Sequence, residues 1–359
     1  MVSGMLKKLS IRAVIVAVWV TLIFSFLYSP LATRYVTQES LNVFMWPGVV
    51  DPKLIHEFEQ KTGIKVNVNY YSANEELIVK LLATKGAGYD LVVPSDYAVK
   101  ILIENDLLQK IDKSKLDFYD KIHPRFLGLY FDPENDYSIP NEWYILGLGI
   151  NKAFFKDGLP PASWKLVFDP AYMPKHLGLM NDCRDLINVA MKYKYGTVRK
   201  LNETEIEEIK CLLCEQKKNA EAYTDFRGDF FLESGNCPVV MVSNSYIWKT
   251  LRKNPDFEFL IPEEGTFLSL ENYAIPKTSK KTDQVYQLLN FLFDPVVQEH
   301  SFEEYVWLST RKDATYISDI DVLKKSIEVL NDPNYPIELF RSELTDEQVN
   351  EIWLALKSQ

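Results

Sequence analysis

Beyond residue 40 the chain alternates between two hydrophobic patterns. LNVFMW (41–46) is a short apolar run of strand length. DPKLIHEFEQKTG then places Leu54, Ile55 and Phe58 on one helical face, with Asp51 positioned to cap, Pro52 in the first turn and Gly63 to stop the helix. In IKVNVNY, Ile64, Val66, Val68 and Tyr70 alternate with polar residues, the two-residue period of a strand. NEELIVKLLATKGAG returns to helical spacing. YDLVVPS is a continuous apolar run, as in a strand buried on both faces. DYAVKILIENDLLQKI reads as a third helix. Strand and helix thus alternate three times, which predicts a doubly wound, largely parallel α/β sheet.

A second α/β region opens near Tyr144. WYILGLGINKAFF reads as a strand leading out of the first region, and ASWKLVFDP and LGLMNDCRDLINVAMKYKYG as a short helix, a strand and a longer helix. ETEIEEIKCLLCEQKK is helical, CPVVMVSNSYIWKTLRK is strand, turn and helix, and TFLSLENYAIPK is a strand. TDQVYQLLNFLFDPVVQEHSFEEY supplies paired helices, and EQVNEIWLALK closes the chain. No repeat or low-complexity tether separates the two regions. Two lobes joined by strand crossovers, with a hinged cleft between them, are expected. The division places 37–144 and 270–314 in lobe 1, and 145–269 and 315–359 in lobe 2.

The N-terminus follows a different rule. Lys7, Lys8 and Arg12 precede an uncharged apolar stretch over 13–28, closed by Pro30 and small residues around Ala32. That order is a secretory signal. Residues 1–36 are therefore a cleaved signal peptide or an uncleaved anchor; the stretch is short for a comfortable bilayer span. No cysteine follows it to carry a lipid. Either way the body lies on the periplasmic side.

Composition narrows the function. With 359 residues, 47% apolar and 25% charged, the chain can bury one large or two ordinary cores. The net charge is −10, and removing the four basic residues of the first 35 leaves −14. An acidic body excludes nucleic acid as a natural partner and permits cationic ligands. Cys211 and Cys214 form a CxxC inside a helical segment, and with Cys183 and Cys237 they complete no zinc spacing. His56, His123, His176 and His300 are scattered, and neither a Ser/His/Asp order nor a phosphate-cradling glycine loop occurs. The expectation is a binding protein, not an enzyme, with no cofactor and no metal.

FEQKTGIKVNVNYYSANEELIVKL, YDLVVPSDYAV, LLQKIDKSKL and FDPENDYSIP, followed more weakly by LMNDCRDLINVAM, ENYAIPK and LLNFLFDP, resemble the spermidine/putrescine-binding periplasmic proteins of bacterial ABC transporters. The resemblance runs over about Leu41 to Lys357. It implies a two-lobed periplasmic-binding-protein fold that clamps a polyamine in its cleft. It also implies a monomer that delivers the ligand to the permease subunits of an importer. A membrane-tethered polyamine sensor, or a receptor for another cationic amine or amino acid, remains open.

A polyamine site needs carboxylates for the ammonium groups and apolar or aromatic walls for the methylenes. The resemblance assigns Asp182 and Asp185, which by themselves read equally as a helix cap and a first-turn acid. Asp185 stands for a family glutamate, and Glu271 for a family aspartate. Trp46 ends the first strand, at the sheet edge where open α/β sheets bind ligands. Ser95 and Tyr97 follow the third strand at the same edge. Trp143 matches a further tryptophan that walls the cleft or packs the hinge. Ser243 and Ser269 stand where the family carries tryptophans, and Val49 where it carries a tyrosine. The late Tyr-Pro-x-Pro-Asn turn is replaced near WLSTRKD. A less aromatic, more hydroxyl-rich cleft leaves the individual amine open.

Overall fold

The computed structural model describes residues 2–27, 39–224, 227–316, 320–341 and 343–358, with the backbone alone for 2–13 and 27. Local chemistry sets the element boundaries. An N-terminal helix α1 spans Val2–Leu27 and β1 spans Ser40–Met45. Helix α2 (Pro52–Thr62) starts where the Asp51 carboxylate accepts the Lys53 N–H at 2.8 Å, and it ends at Gly63 with φ 75°. There follow β2 (Lys65–Tyr70), α3 (Asn74–Thr84), β3 (Leu91–Val92) and α4 (Asp96–Glu104). The long strand β4 (Ser138–Asn151) leads into α5 (Lys165–Phe168), β5 (Leu177–Met180), α6 (Cys183–Tyr195), α7 (Glu203–Lys217) and β6 (Ala220–Thr224). Next come α8 (Asp229–Glu233), β7 (Val239–Ser243), α9 (Asn244–Lys253), β8 (Phe257–Leu260) and β9 (Thr266–Ala274). The chain closes with α10 (Thr282–Leu292), α11 (Pro295–Tyr305), α12 (Asp321–Asn331), β10 (Ile337–Leu339) and α13 (Asp346–Lys357).

The strands run in the order β2-β1-β3-β9-β4-β7-β5-β6, with β10 beside β9 and β8 beside β4. The pairs β1–β2, β1–β3, β5–β6 and β5–β7 are parallel, as βαβ units require. The sheet is nonetheless mixed. Strand β9 is antiparallel to β3, and β4 is antiparallel to β9, β7 and β8. Strand β4 carries both halves. Its first residues, Ser138 to Ile145, pair with β9, and Leu146 to Ile150 pair with β7. The fold is thus α/β with two layered regions threaded by two common strands.

Two hydrophobic clusters divide the core, and the first crosses the expected boundary, taking in Leu232, Ile247, Phe259 and Leu323. One gathers Leu41, Phe44, Leu77, Leu91, Ile145 and Leu289 around the first sheet, and reaches α9 through Trp248, which stacks on Phe302 at 5.2 Å. The other joins Leu148, Trp164, Leu179, Ile187, Met241 and Ile352. The helix expected to run to Ile111 stops at Glu104, because Asp106 turns left-handed at φ 57° and the chain leaves the helix axis. The short elements α8, β6, β8 and β10 were not foreseen from the pattern, and neither was α12, although Val322, Leu323 and Leu330 give it one buried face.

In α1 the side chains from Val14 to Phe26 are exposed and apolar on all faces. Among the described residues no helix is long and apolar enough to cross a membrane. The segment around Pro30 and Ala32, where a signal would end, lies outside the described residues. Cys183, Cys211, Cys214 and Cys237 are all free thiols.

Gly265 opens β9 and sets its direction. Its φ is +106°, and a Cβ there would sit 2.3 Å from the Pro336 carbonyl oxygen. Gly265→Ala is expected to cost at least about 2 kcal/mol through backbone strain and the clash, measured as a lower urea midpoint. An unchanged midpoint would show that β9 tolerates a different path.

Candidate functional site

The carboxyl ends of β1 and β3 and the middle of β9 bring three distant residues together. Ser95 donates from Oγ to Glu271 Oε1 at 2.6 Å, and Trp46 donates from Nε1 to Glu271 Oε2 at 3.1 Å. Ser95 stands at the N-cap of α4 but makes no side-chain cap, because its hydroxyl is turned to Glu271. Asn74 fixes it from behind, donating from Nδ2 to Ser95 Oγ at 3.0 Å and accepting the Ser95 N–H at 3.2 Å. The Trp46 ring lies 4.6 Å from that of Tyr71. Glu271 is therefore buried and clamped by two neutral donors.

Strand β4 adds a second row. Glu142 lies directly across from Glu271, and Tyr144 across from Ser269. Residues two apart share a face of a strand, so Glu142, Tyr144, Ser269 and Glu271 form one block facing the same way. Like charges directly opposite on neighbouring strands repel. The Glu142 carboxyl has no hydrogen-bond partner among the described residues.

From α4, Asp96 is 2% exposed. Its Oδ1 accepts the Tyr97 N–H at 2.6 Å, and its Oδ2 has no partner among the described residues. From the other region, Asp182 caps α6 by accepting the Asp185 N–H at 3.1 Å. Tyr97 donates its hydroxyl to Glu75 Oε1 at 3.2 Å and lies within electrostatic reach of Asp182 and Asp185. The carboxyls form a string in which each acts on the next: Glu142 with Glu271, Glu271 with Asp96, Asp96 with Asp185, Asp185 with Asp182. Tyr144 runs alongside, close to Glu271, Asp185 and Glu142.

This environment suppresses ionisation. Burial pushes Glu271 up to about 8, with Asp96 adding to the effect and the bonds from Ser95 and Trp46 opposing it. Burial raises Asp96 to about 7, against the Tyr97 N–H. Glu142 is raised well above the usual range by burial and then by Glu271. Asp185 is raised well above it by burial, then by Asp182 and Asp96, while Arg184 opposes. Glu142 and Asp185 are half-buried. Arg184 is itself bonded to Asp346 at 2.6 Å. No lysine or arginine acts on Glu142, Glu271 or Asp96 among the described residues. Such a string is stable only with protons on it or with an external cation along it.

The expected residues fall into two groups. Trp46, Ser95, Tyr97, Asp182, Asp185, Glu271 and Ser269 gather around the string of carboxyls. Trp143 lies on the opposite face of β4, 2% exposed, with its indole N–H on the Ser309 carbonyl at 3.0 Å and its ring 5.7 Å from Phe126. Ser243 is fully buried at the start of α9, where its Oγ bonds Ser245 Oγ at 2.8 Å and the Tyr246 N–H at 3.4 Å. Glu142, Tyr144 and Asp96 were not foreseen. A glutamate beside Trp143 in a largely apolar strand, and an aspartate between two residues already singled out, were the available signals.

A family model described as bacterial extracellular solute-binding protein matches residues 53–326. The chain is 33% identical to the spermidine/putrescine-binding periplasmic protein of Salmonella typhimurium over 272 residues, covering 74% of this chain and 76% of that protein. It is 26% identical to the putrescine-binding periplasmic protein PotF of Escherichia coli over 346 residues, covering 89% and 92%. In fold it is similar to the spermidine/putrescine ABC transporter substrate-binding protein PotD of Streptococcus pneumoniae, with a TM-score of 0.73 at 23% identity over 89% of this chain and 99% of that one.

The raised carboxyls carry a sign for stability. They bind protons in the folded state that the unfolded chain has released above about pH 4. Their stabilising share is complete below that pH and is lost as pH rises through about 8 for Glu271. The melting temperature of the ligand-free protein should therefore fall between pH 5 and pH 9. Glu271→Gln, which keeps partners for Ser95 and Trp46, should flatten the slope. Identical slopes for the two proteins would contradict the assignment.

Proposed function

Because the chain belongs to the bacterial extracellular solute-binding protein family, we propose that it captures a spermidine/putrescine-type polyamine in the periplasm and hands it to the permease subunits of an ABC importer. The observation that carries this reading is the string of carboxyls, with Glu271 and Asp96 buried and no protein cation acting on Glu142, Glu271 or Asp96 among the described residues. A linear amine supplies positive charges in series, and its ammonium groups replace the protons. The polyamine-named relatives support the same ligand class.

On this reading Glu271, Asp182 and Asp185 hold ammonium groups, and Trp46 and Tyr97 cover the methylenes. Ser95 acts by orienting Glu271. Tyr144, across from Ser269, takes the aromatic place that a serine at 269 gives up. Trp143 and Ser243 support the cleft from behind. Aromatic faces add about 0.5–2 kcal/mol each toward a cation.

We assign 37–144 with 270–314 to one lobe and 145–269 with 315–359 to the other, joined by β4 and β9. The second hydrophobic cluster lies wholly within the second of these lobes and supports the division, while the first also draws in Leu232, Ile247, Trp248, Phe259 and Leu323 from across the boundary. The cation draws Asp185 and Asp182 of one lobe toward Glu271 and Asp96 of the other, and the permease recognises the closed monomer. No reaction is assigned to it. Helix α1, apolar and exposed from Val14 to Phe26, serves export.

Calorimetric titration of the purified protein with spermidine, putrescine, lysine and arginine tests the ligand class. A polyamine at about 100 times its Kd should also add about 2.7 kcal/mol of stability. The double variant Asp185→Asn, Glu271→Gln should weaken polyamine binding on the order of 100-fold. Absence of binding by either polyamine, with wild type folded, would overturn the reading.

A further inference from the structure

The string of carboxyls is not uniform along its length. At one end Glu142 and Glu271 stand opposite each other on β4 and β9. At the other, Asp182 and Asp185 share the first turn of α6. Between them is a single carboxyl, Asp96. It is 98% buried, one oxygen accepts the Tyr97 N–H, and the other has no partner. It follows Ser95, which bonds Glu271, and its charge acts on both Glu271 and Asp185.

Primary and secondary ammonium groups differ in what they can satisfy. A terminal ammonium carries three N–H donors and suits two acceptors from a pair of carboxylates. An internal ammonium carries two donors, lies between methylenes, and can present one to a single acceptor from the side. A buried carboxylate oxygen left without a donor is costly. A helix start alone explains an acid at position 96, since negative charge there favours the α4 dipole. It does not explain why one oxygen is sealed from solvent and unpaired between two other carboxyls.

Resting on the polyamine reading above, we propose that Asp96 is the specificity-determining residue of the cleft: its free Oδ2 accepts a hydrogen bond from an internal ammonium, so that the site selects linear amines with a third, central positive charge over diamines. The paired acids at the two ends hold the terminal ammonium groups. Tyr144 and Tyr97 flank the methylenes between them. A diamine fills the ends or one end and the middle, but leaves one acidic position unmatched.

The test uses three ligands on the full chain: spermidine, putrescine, and a diamine of spermidine's length in which a methylene replaces the internal nitrogen. Wild type should bind spermidine at least about tenfold more tightly than the length-matched diamine. Asp96→Asn keeps the carbonyl that accepts the Tyr97 N–H and places an amide where the free oxygen stood. It should lose at least about tenfold for spermidine, change the length-matched diamine by less than about threefold, and erase the preference. Asp96→Ser serves as a second variant without an amide donor in the cleft, and the melting temperature of each variant reports its folding. Equal losses for spermidine and the length-matched diamine, or none for either, would overturn the role of Asp96 while leaving the polyamine reading intact. Failure of wild type to bind spermidine or putrescine would overturn both.

Discussion

A carboxyl group taken out of water among other carboxyl groups must find a proton or a cation. Glu271 meets this constraint in its strictest form. It is 8% exposed, held by Ser95 and Trp46, faced by Glu142 and neighboured by Asp96. The two hydrogen bonds orient the group but do not neutralise it, and burial outweighs them. The remainder of the cleft can be understood as the consequence of keeping this arrangement in one place without a protein cation to complete it.

The topology supplies that stability. Strands β4 and β9 are the common spine of both regions, and they are the strands that carry Glu142, Tyr144, Ser269 and Glu271. An acidic pair at their centre is tolerated because burial keeps protons on it, and both strands are paired on either side. Trp143 contributes from the opposite face, locking β4 to the segment around Ser309 and Phe126. The aspartates arrive from a separate region on the first turn of α6, so the string is complete only when the two regions meet. On the proposed reading, a cation along it couples binding to the approach of the lobes.

Much of this was legible in the sequence, and the exceptions have physical causes. Asp51, Pro52 and Gly63 announce α2 because capping chemistry is local. The alternation of strand and helix likewise predicts the α/β class. The antiparallel course of β9 and β4 depends on pairing between residues far apart in sequence, which no local pattern encodes. The same limit hid Glu142 and Tyr144 while Trp143 drew attention. Neighbouring strand residues face opposite sides, and only the register against β9 decides which side is the cleft. By themselves Asp182 and Asp185 read as a helix cap and a first-turn acid, with the ligand role implied only by the resemblance, and the structure shows the cap while placing both in the string. Asp96 carries an ordinary helix-start signature, and its unpaired oxygen is visible only in three dimensions.

The central claim is that cationic groups replace protons on a buried string of carboxyls. The most direct measurement is titration calorimetry of spermidine into the protein at pH 7, repeated in two buffers of unlike ionisation enthalpy. The difference in heat reports protons exchanged with solvent. With Glu271 near 8 and Asp96 near 7, binding should release on the order of one proton per ligand. Binding of the same amine with no proton release, or with proton uptake, would show that the carboxyls are already ionised or lie away from the ligand, and would contradict the account.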